Sequence, residues 1–86
     1  MIARDEILVN DRFALLAVEA EEEGNLEKAL MFYELAGQRT GECGYYQLAG
    51  NIAIQLKRYG EAERCFTLSG DRALAEDMKK KYNEAK

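Results

Sequence analysis

The 86-residue chain carries 12 basic and 16 acidic side chains, has a formal net charge of −4, and contains neither histidine nor proline. The negative charge argues against a dedicated nucleic-acid binder, which normally has a clustered basic surface, and the lack of an apolar run of about 20 residues argues against a membrane span. Two cysteines without histidine cannot complete a four-ligand zinc site, so we expect Cys43 and Cys65 to be reduced thiols in a cytoplasmic protein.

The first predicted helix covers residues 11–23. Its apolar residues recur at steps of three and four, which is typical of one face of an amphipathic helix, and Gly24 is expected to end it in the left-handed conformation. Residues 1–10 are ambiguous, because they either begin this helix or form an arm that stops at a cap at Asn10 or Asp11. The apolar stripe consists of Phe13, Leu16, Ala17 and Ala20, widened by Leu15 and Val18.

A second helix is predicted to start after Asn25. This residue is a good N-cap because its side-chain oxygen can accept a hydrogen bond from a free backbone N–H of the first turn, and Gly37 is expected to end the helix. Because the link between the first two helices is short, they are predicted to form an antiparallel hairpin. The expected buried face of the second helix comprises Leu26, Ala29, Leu30, Phe32, Tyr33 and Ala36.

A third helix is predicted from Glu42 to Lys57, with Thr40 as its candidate cap. A glycine in the middle of a helix weakens it by about 1 kcal/mol relative to alanine, so Gly50 is interpreted as a place where another backbone approaches closely. The inward side of this helix is expected to comprise Tyr46, Ala49, Gly50, Ala53 and Leu56.

The rest of the chain predicts two further helices. The fourth covers residues 61–69 and ends at Gly70, and the fifth follows a cap at Asp71 and runs from Arg72 to about Asn83. The fourth is expected to bury Ala62, Cys65, Phe66 and Leu68. The fifth is expected to turn Ala73, Leu74, Met78 and Tyr82 inward.

The stretch 24–36 recurs in a degenerate form 33 residues later. The clearest pairs are Ala29 with Ala62 and Tyr33 with Phe66. An internal repeat of this length is associated with stacked helical hairpins, because one hairpin cannot bury its apolar face alone.

In both units the order of large, small and aromatic residues resembles the tetratricopeptide repeat. The first unit supplies Phe13, Leu16, Ala17, Ala20, Ala29, Tyr33 and Ala36, and the second supplies Tyr46, Ala49, Gly50, Ala53, Ala62, Phe66 and Ser69. The resemblance implies an all-α superhelix, or solenoid, of about five antiparallel helices. It divides a single domain, 1–86, into repeat one at about 10–42, repeat two at about 43–75 and a C-terminal capping helix at about 72–84.

The resemblance also implies a function. In tetratricopeptide proteins the first helices of the hairpins line a concave surface that holds an extended peptide or a helix of a partner. We therefore expect a non-enzymatic scaffold without a cofactor, which binds a protein or peptide and neither nucleic acid nor a membrane. The residues that match this surface are Asp11, Ala14, Val18, Glu21 and Glu22 in the first unit and Gln47, Asn51, Ile54 and Gln55 in the second. The three amides are spaced four apart and can both donate to and accept from a peptide backbone.

Two other interpretations stay open at this point. The chain can be a self-association or assembly element, a homodimer or a subunit of a larger helical-repeat complex, because two repeats are fewer than the roughly three that stack stably alone. The apolar residues Ile2, Ile7, Leu8 and Val9 would then cover a free end, within the chain or across a dimer. The stretch 17–36 is also similar to the first hairpin of the three-helix microtubule-interacting and transport domain.

Catalysis is not expected from this sequence. It has no histidine to act as a general base, and neither serine nor cysteine stands in a nucleophile motif. The glycines occur singly, so no phosphate-binding loop is predicted either. The acidic cluster of Glu19, Glu21, Glu22 and Glu23 is interpreted as solvated helix surface.

Overall fold

A computed structural model describes residues 11–85, which are helical apart from short turns and contain no β-strand. The predictions for residues 1–10, including the arm and its apolar residues, fall outside this range. The five helices confirm the all-α expectation for the described part of the chain. They are α1 (Arg12–Glu22), α2 (Leu26–Thr40), α3 (Cys43–Gln55), α4 (Tyr59–Ser69) and α5 (Arg72–Ala85).

Side-chain caps begin α1, α2 and α5. Asn25 and Asp71 are the caps that the sequence predicts, and Asp11 is one of the two candidates that it offers for α1. Asp11 Oδ1 accepts hydrogen bonds from the backbone N–H groups of Phe13, at 2.8 Å, and Ala14, at 3.4 Å. Asn25 and Asp71 accept equivalent bonds in the first turns of α2 and α5, each at 3.2 Å. These bonds satisfy N–H groups that have no partner inside the helix.

The predicted end of α2 at Gly37 is wrong. The helix continues to Thr40 and ends at Gly41, whose φ of +75° is left-handed. Gly37 is buried inside the helix, and a Cβ added there would lie 2.9 Å from the Tyr46 ring. This glycine therefore makes room for an aromatic ring instead of ending the helix.

The predicted cap of α3 is also wrong. Glu42 takes the N-cap position, and the Thr40 hydroxyl donates to the carbonyl oxygen of Ala36 at 2.8 Å while it accepts from the N–H of Glu42 at 3.1 Å. Thr40 therefore closes α2 and does not open α3, because its hydroxyl is engaged with the preceding helix.

Each helix packs mainly against the next one along the chain, so that α2, α3 and α4 each have two principal neighbours. The buried crossings are rich in alanine, which lets helix axes approach closely. The largest fully buried side chains are Tyr33, Tyr45, Phe66 and Cys65. The buried alanines are Ala14, Ala17, Ala20, Ala29, Ala36, Ala49, Ala53, Ala62 and Ala75.

Gly50 meets a side chain rather than the backbone that the sequence led us to expect. A Cβ added at Gly50 would lie 2.8 Å from Cζ of Phe66, which is itself buried. The absence of a side chain on α3 therefore creates the space that the Phe66 ring of α4 fills.

Several predicted inward residues are on the surface. Leu68 is half exposed, Leu74 and Tyr82 are more than a third exposed, and Ala73 is exposed, while Ala75 and Met78 form the buried stripe of α5. α5 packs mainly against α4, so only a narrow stripe is covered. On α3, Tyr45 is buried and Tyr46 only partly so.

Two ion pairs join α2 to α4. Glu27 lies 3.0 Å from Arg58, the residue that precedes α4, and Glu34 lies 2.8 Å from Arg64. No helix within residues 11–85 has the length and the apolar run that crossing a membrane requires.

Candidate partner-binding surface

The amide residues of α3 form an exposed row. Gln47, Asn51 and Gln55 are all exposed, and within residues 11–85 their side chains form no hydrogen bond or ion pair. Ile54 is half-buried beside them and packs against the core. At about 100° per residue, these side chains share the face of α3 opposite the buried Ala49.

On α1, only part of the predicted set is available to a partner. Glu22 is exposed, and Val18 is half-buried and packs against the core. Glu21 is half-buried and accepts a hydrogen bond from the hydroxyl of Tyr33. Because Tyr33 is fully buried, this bond satisfies a polar group in the core, and we assign Glu21 a structural role.

Ala14 is fully buried and cannot contact a partner, so its assignment to the binding surface is wrong. It lies three residues before Ala17 and six before Ala20, and these three alanines form the buried stripe of α1. The hairpin alignment places Ala14 at the position of the exposed Gln47, but the two helices do not bury the same face at that point.

Leu15 is a surface residue that the sequence analysis missed. It is 48 % exposed and lies about 160° around α1 from the buried Ala17. Leu15, Val18 and Glu22 are three and four residues apart and share one face. The helical angle is the signal that separates Leu15 from the buried stripe, although its apolar side chain suits that stripe. We call the set Leu15, Val18, Glu22, Gln47, Asn51, Ile54 and Gln55 the α1–α3 surface.

The Asp11 carboxylate, at the start of α1, acts electrostatically on Tyr45 in the first turn of α3. Burial raises the pKa of Tyr45, and the negative charge of Asp11 raises it further, followed by that of Glu42. The Asp11 carboxylate, which caps α1, is therefore within electrostatic range of a side chain in the first turn of α3. Asp11 is itself buried and bonded to Arg39 of α2 at 3.3 Å.

A separate polar cluster joins α2 and α4 around Glu34. Arg64 donates to Glu34 Oε1 at 2.8 Å, and the Cys65 thiol donates to the same oxygen at 3.3 Å. Burial raises the pKa of Cys65 to about 12, with a further contribution from the Glu34 charge. The thiol is therefore protonated near neutral pH, and its role is packing and hydrogen bonding.

We expect the two thiols to react differently. In the folded chain a thiol reagent should modify the exposed Cys43 quickly and the buried Cys65 only after unfolding, because the thiolate is the reactive form. Cys43→Ser should remove the fast phase and Cys65→Ala should leave it unchanged. Equal reaction rates at both thiols of the native chain would contradict this assignment.

The Cys65 pKa also predicts a pH dependence of stability. The folded chain keeps the Cys65 proton up to a pH of about 12, whereas the unfolded thiol releases it from its ordinary pKa of 9.0. The free energy of unfolding should therefore fall between pH 9.0 and about 12, and the fall should be smaller in Cys65→Ala. Chemical denaturation of both chains across this range measures the difference.

An open groove of about 300 Å³ lies between α4 and α5. Its walls carry charges of both signs, and its lining residues are Glu63, Thr67, Arg72, Ala75, Glu76 and Lys79. None of these residues is a cysteine or serine nucleophile.

Within residues 11–85, no group of three or more histidine, cysteine, aspartate or glutamate side chains could hold a metal ion. The fold of this part is that of an all-helical protein with sequentially packed helices. Comparisons with protein-family models, with curated proteins and with solved structures find no match to this chain.

Proposed function

We propose that this chain is a protein-interaction module without enzymatic activity, and that it binds a peptide or helix of a partner on the α1–α3 surface. The proposed architecture is two stacked tetratricopeptide-like hairpins, α1–α2 and α3–α4, followed by α5 as a capping helix. The observation that carries the proposal is the exposed amide row of α3, whose hydrogen-bonding groups are not used by the described part of the protein.

The ion pairs between α2 and α4 support the stacking of the hairpins. Glu27 and Arg58 lie near the starts of the two helices, and Glu34 and Arg64 lie further along both. Two helices that pair in this order run side by side in the same direction. Second helices of successive hairpins have this relation in a tetratricopeptide superhelix.

The position of α1 relative to α3 supports a shared surface. Both helices pack against α2, and the charge of Asp11 acts on Tyr45 at the corresponding ends of α1 and α3. We infer that the exposed faces of the two helices adjoin. Their combined surface would then present Leu15, Val18 and Ile54 as apolar contacts beside the amide row.

The chemistry of this surface indicates the kind of partner. Amide side chains donate to and accept from a peptide backbone, so they suit an extended segment without demanding a particular sequence. The half-buried Val18 and Ile54 offer shallow apolar contacts, and Glu22 favours a basic residue nearby. We propose a partner segment with apolar anchors and at least one basic side chain.

The five helices argue against the three-helix alternative, because α4 and α5 pack in sequence with α3 and are part of the same body. The alternative function is self-association. Sedimentation across a concentration series tests it, because a self-associating chain has a weight-average mass that rises with concentration.

The test uses a peptide that is selected from a random display library for binding to the intact chain. Asn51→Ala combined with Gln55→Ala should weaken binding of this peptide at least tenfold, because both changes remove backbone-directed hydrogen bonds without exposing a core group. The helical circular dichroism should stay unchanged.

A matched control carries the same type of double change elsewhere. Glu76→Ala combined with Lys79→Ala alters the groove between α4 and α5 and should leave peptide affinity within about twofold of the parent chain. Equal binding by the parent chain and the Asn51, Gln55 variant would remove the α1–α3 surface from consideration.

A further inference from the structure

The amide row of α3 has a regular spacing. Gln47, Asn51 and Gln55 stand four residues apart on one continuous helix, and all three are exposed. A row of this kind advances about 6 Å along the helix axis at each step and is inclined by about 26° to that axis, so successive amides are about 6.7 Å apart along the row.

The backbone of an extended peptide has almost the same period. Each residue of a β-strand directs its N–H and C=O groups to one edge, and its neighbours direct theirs to the opposite edge. Because a strand rises about 3.2–3.4 Å per residue, residues that share an edge are about 6.4–6.8 Å apart. A row of amide side chains, which both donate and accept, therefore matches every second residue of a strand edge.

We propose that the α1–α3 surface holds its partner as an extended strand that lies along the amide row, with Gln47, Asn51 and Gln55 bonded to the backbone of three alternate residues. This inference rests on the proposed function and specifies the conformation and the alignment of the partner segment. Three alternate residues span five positions, so the recognised core is a pentapeptide.

The free hydrogen-bonding groups of the row favour a strand over a helix. The N–H and C=O groups of a helical partner are bonded within that helix, so its backbone would leave the amides unused. A strand edge carries unpaired N–H and C=O groups, and such edges are what main-chain recognition uses. Within residues 11–85 the three amides form no hydrogen bond, and Ile54 beside them offers an apolar contact to one face of the strand.

Amide-to-ester substitution along the library-selected peptide tests this pairing, because an ester removes one backbone N–H and adds no bulk. Substitution at each of three alternate residues should weaken binding to the intact chain about fivefold, whereas substitution at the two intervening residues should change it less than about twofold. Equal effects at adjacent residues, or effects that recur every three or four residues, would overturn the proposal.

Asn51→Ala is the matched change in the protein, and it alters an exposed side chain. In this variant the central one of the three sensitive esters should have no further effect, while the outer two, opposite Gln47 and Gln55, should keep their fivefold effect. Full retention of all three effects in Asn51→Ala would contradict the pairing.

Cys43 allows the alignment to be tested in the unmodified chain. It stands four residues before Gln47 and its thiol is exposed, so it continues the row. In a glutathione buffer, a cysteine placed two residues beyond one end of the sensitive pentapeptide should form a mixed disulfide with Cys43, and the same placement at the other end should not. Equal yields from the two placements would overturn the alignment along α3.

Backbone amide signals of the ¹⁵N-labelled chain distinguish failure of this inference from failure of the proposed function. If the peptide shifts the signals of α1 and α3 but the ester effects do not alternate, the extended pairing is wrong and the binding surface stands. If the peptide shifts the signals of neither helix, both are wrong.

Discussion

Phe66→Ala should lower the free energy of unfolding by about 3–5 kcal/mol. The Phe66 ring is buried and fills the space above Gly50, where α3 has no side chain to replace the lost contacts. A chain of this size has a total stability of roughly 4–13 kcal/mol, at about 0.05–0.15 kcal/mol per residue, so the change removes a large part of it. Urea denaturation followed by circular dichroism measures the effect.

Leu68→Ala is the matched control on the same helix. Leu68 is 50 % exposed, so its removal should cost less than about 1 kcal/mol. The sequence predicts that both side chains are buried, but only Phe66 is buried in the structure. Equal losses from the two changes would contradict the packing described for α4.

Gly50→Ala should lower the free energy of unfolding by up to about 2 kcal/mol. Alanine is favoured over glycine in a helix interior by about 1 kcal/mol, which alone would stabilise the chain. The added Cβ, however, would lie 2.8 Å from the buried Phe66 ring, and overpacking of this kind costs about 1–3 kcal/mol. The clash should outweigh the gain in helix propensity, and Phe66→Leu in the same chain should relieve part of it.

Gly60→Ala is expected to have the opposite sign. A Cβ at Gly60 would lie 3.3 Å from the Tyr82 ring, which is 44 % exposed and can move outward. The gain in helix propensity should then dominate and stabilise the chain by about 0.5 kcal/mol. If Gly50→Ala and Gly60→Ala both destabilised the chain, or both stabilised it, the mobility of the adjacent ring, Phe66 or Tyr82, would not determine the sign of the stability change.

The helix boundaries that local chemistry controls could be predicted from the sequence. Asp11, Asn25 and Asp71 cap helices because their side chains reach N–H groups two or three residues away. Gly24 and Gly70 end helices with positive φ, as expected. Gly37 was misassigned because its neighbour, the Tyr46 ring, belongs to another helix and leaves no local signal.

The direction in which a side chain points was harder to predict. Tyr45 and Tyr46 are adjacent and chemically alike, so the choice of the buried one depends on how α3 is rotated against its neighbours. Leu15 and Leu68 have apolar side chains that fitted a broad stripe, yet both lie on the surface. Helical periodicity alone does not fix the width of a buried stripe, because that width depends on the number of neighbours.

Part of the candidate surface could be predicted, because local spacing and polarity indicate which side chains of one helix are exposed, whereas contacts between helices leave no local signal. The amide row of α3 follows from four-residue spacing and polarity, both of which can be read along the chain. The contact between Glu21 and Tyr33 joins residues 12 apart across the first hairpin, so only the structure reveals that this carboxylate serves the core. Ala14 has no polarity to indicate its environment and was placed by alignment alone.

The most direct test of the proposed interaction module is to map a bound peptide onto the chain by nuclear magnetic resonance. Adding the library-selected peptide to the ¹⁵N-labelled intact chain should shift the amide signals of α1 and α3, with the largest changes around Leu15, Asn51 and Gln55. Shifts concentrated instead on the groove between α4 and α5, or on α2, would contradict the proposed binding surface.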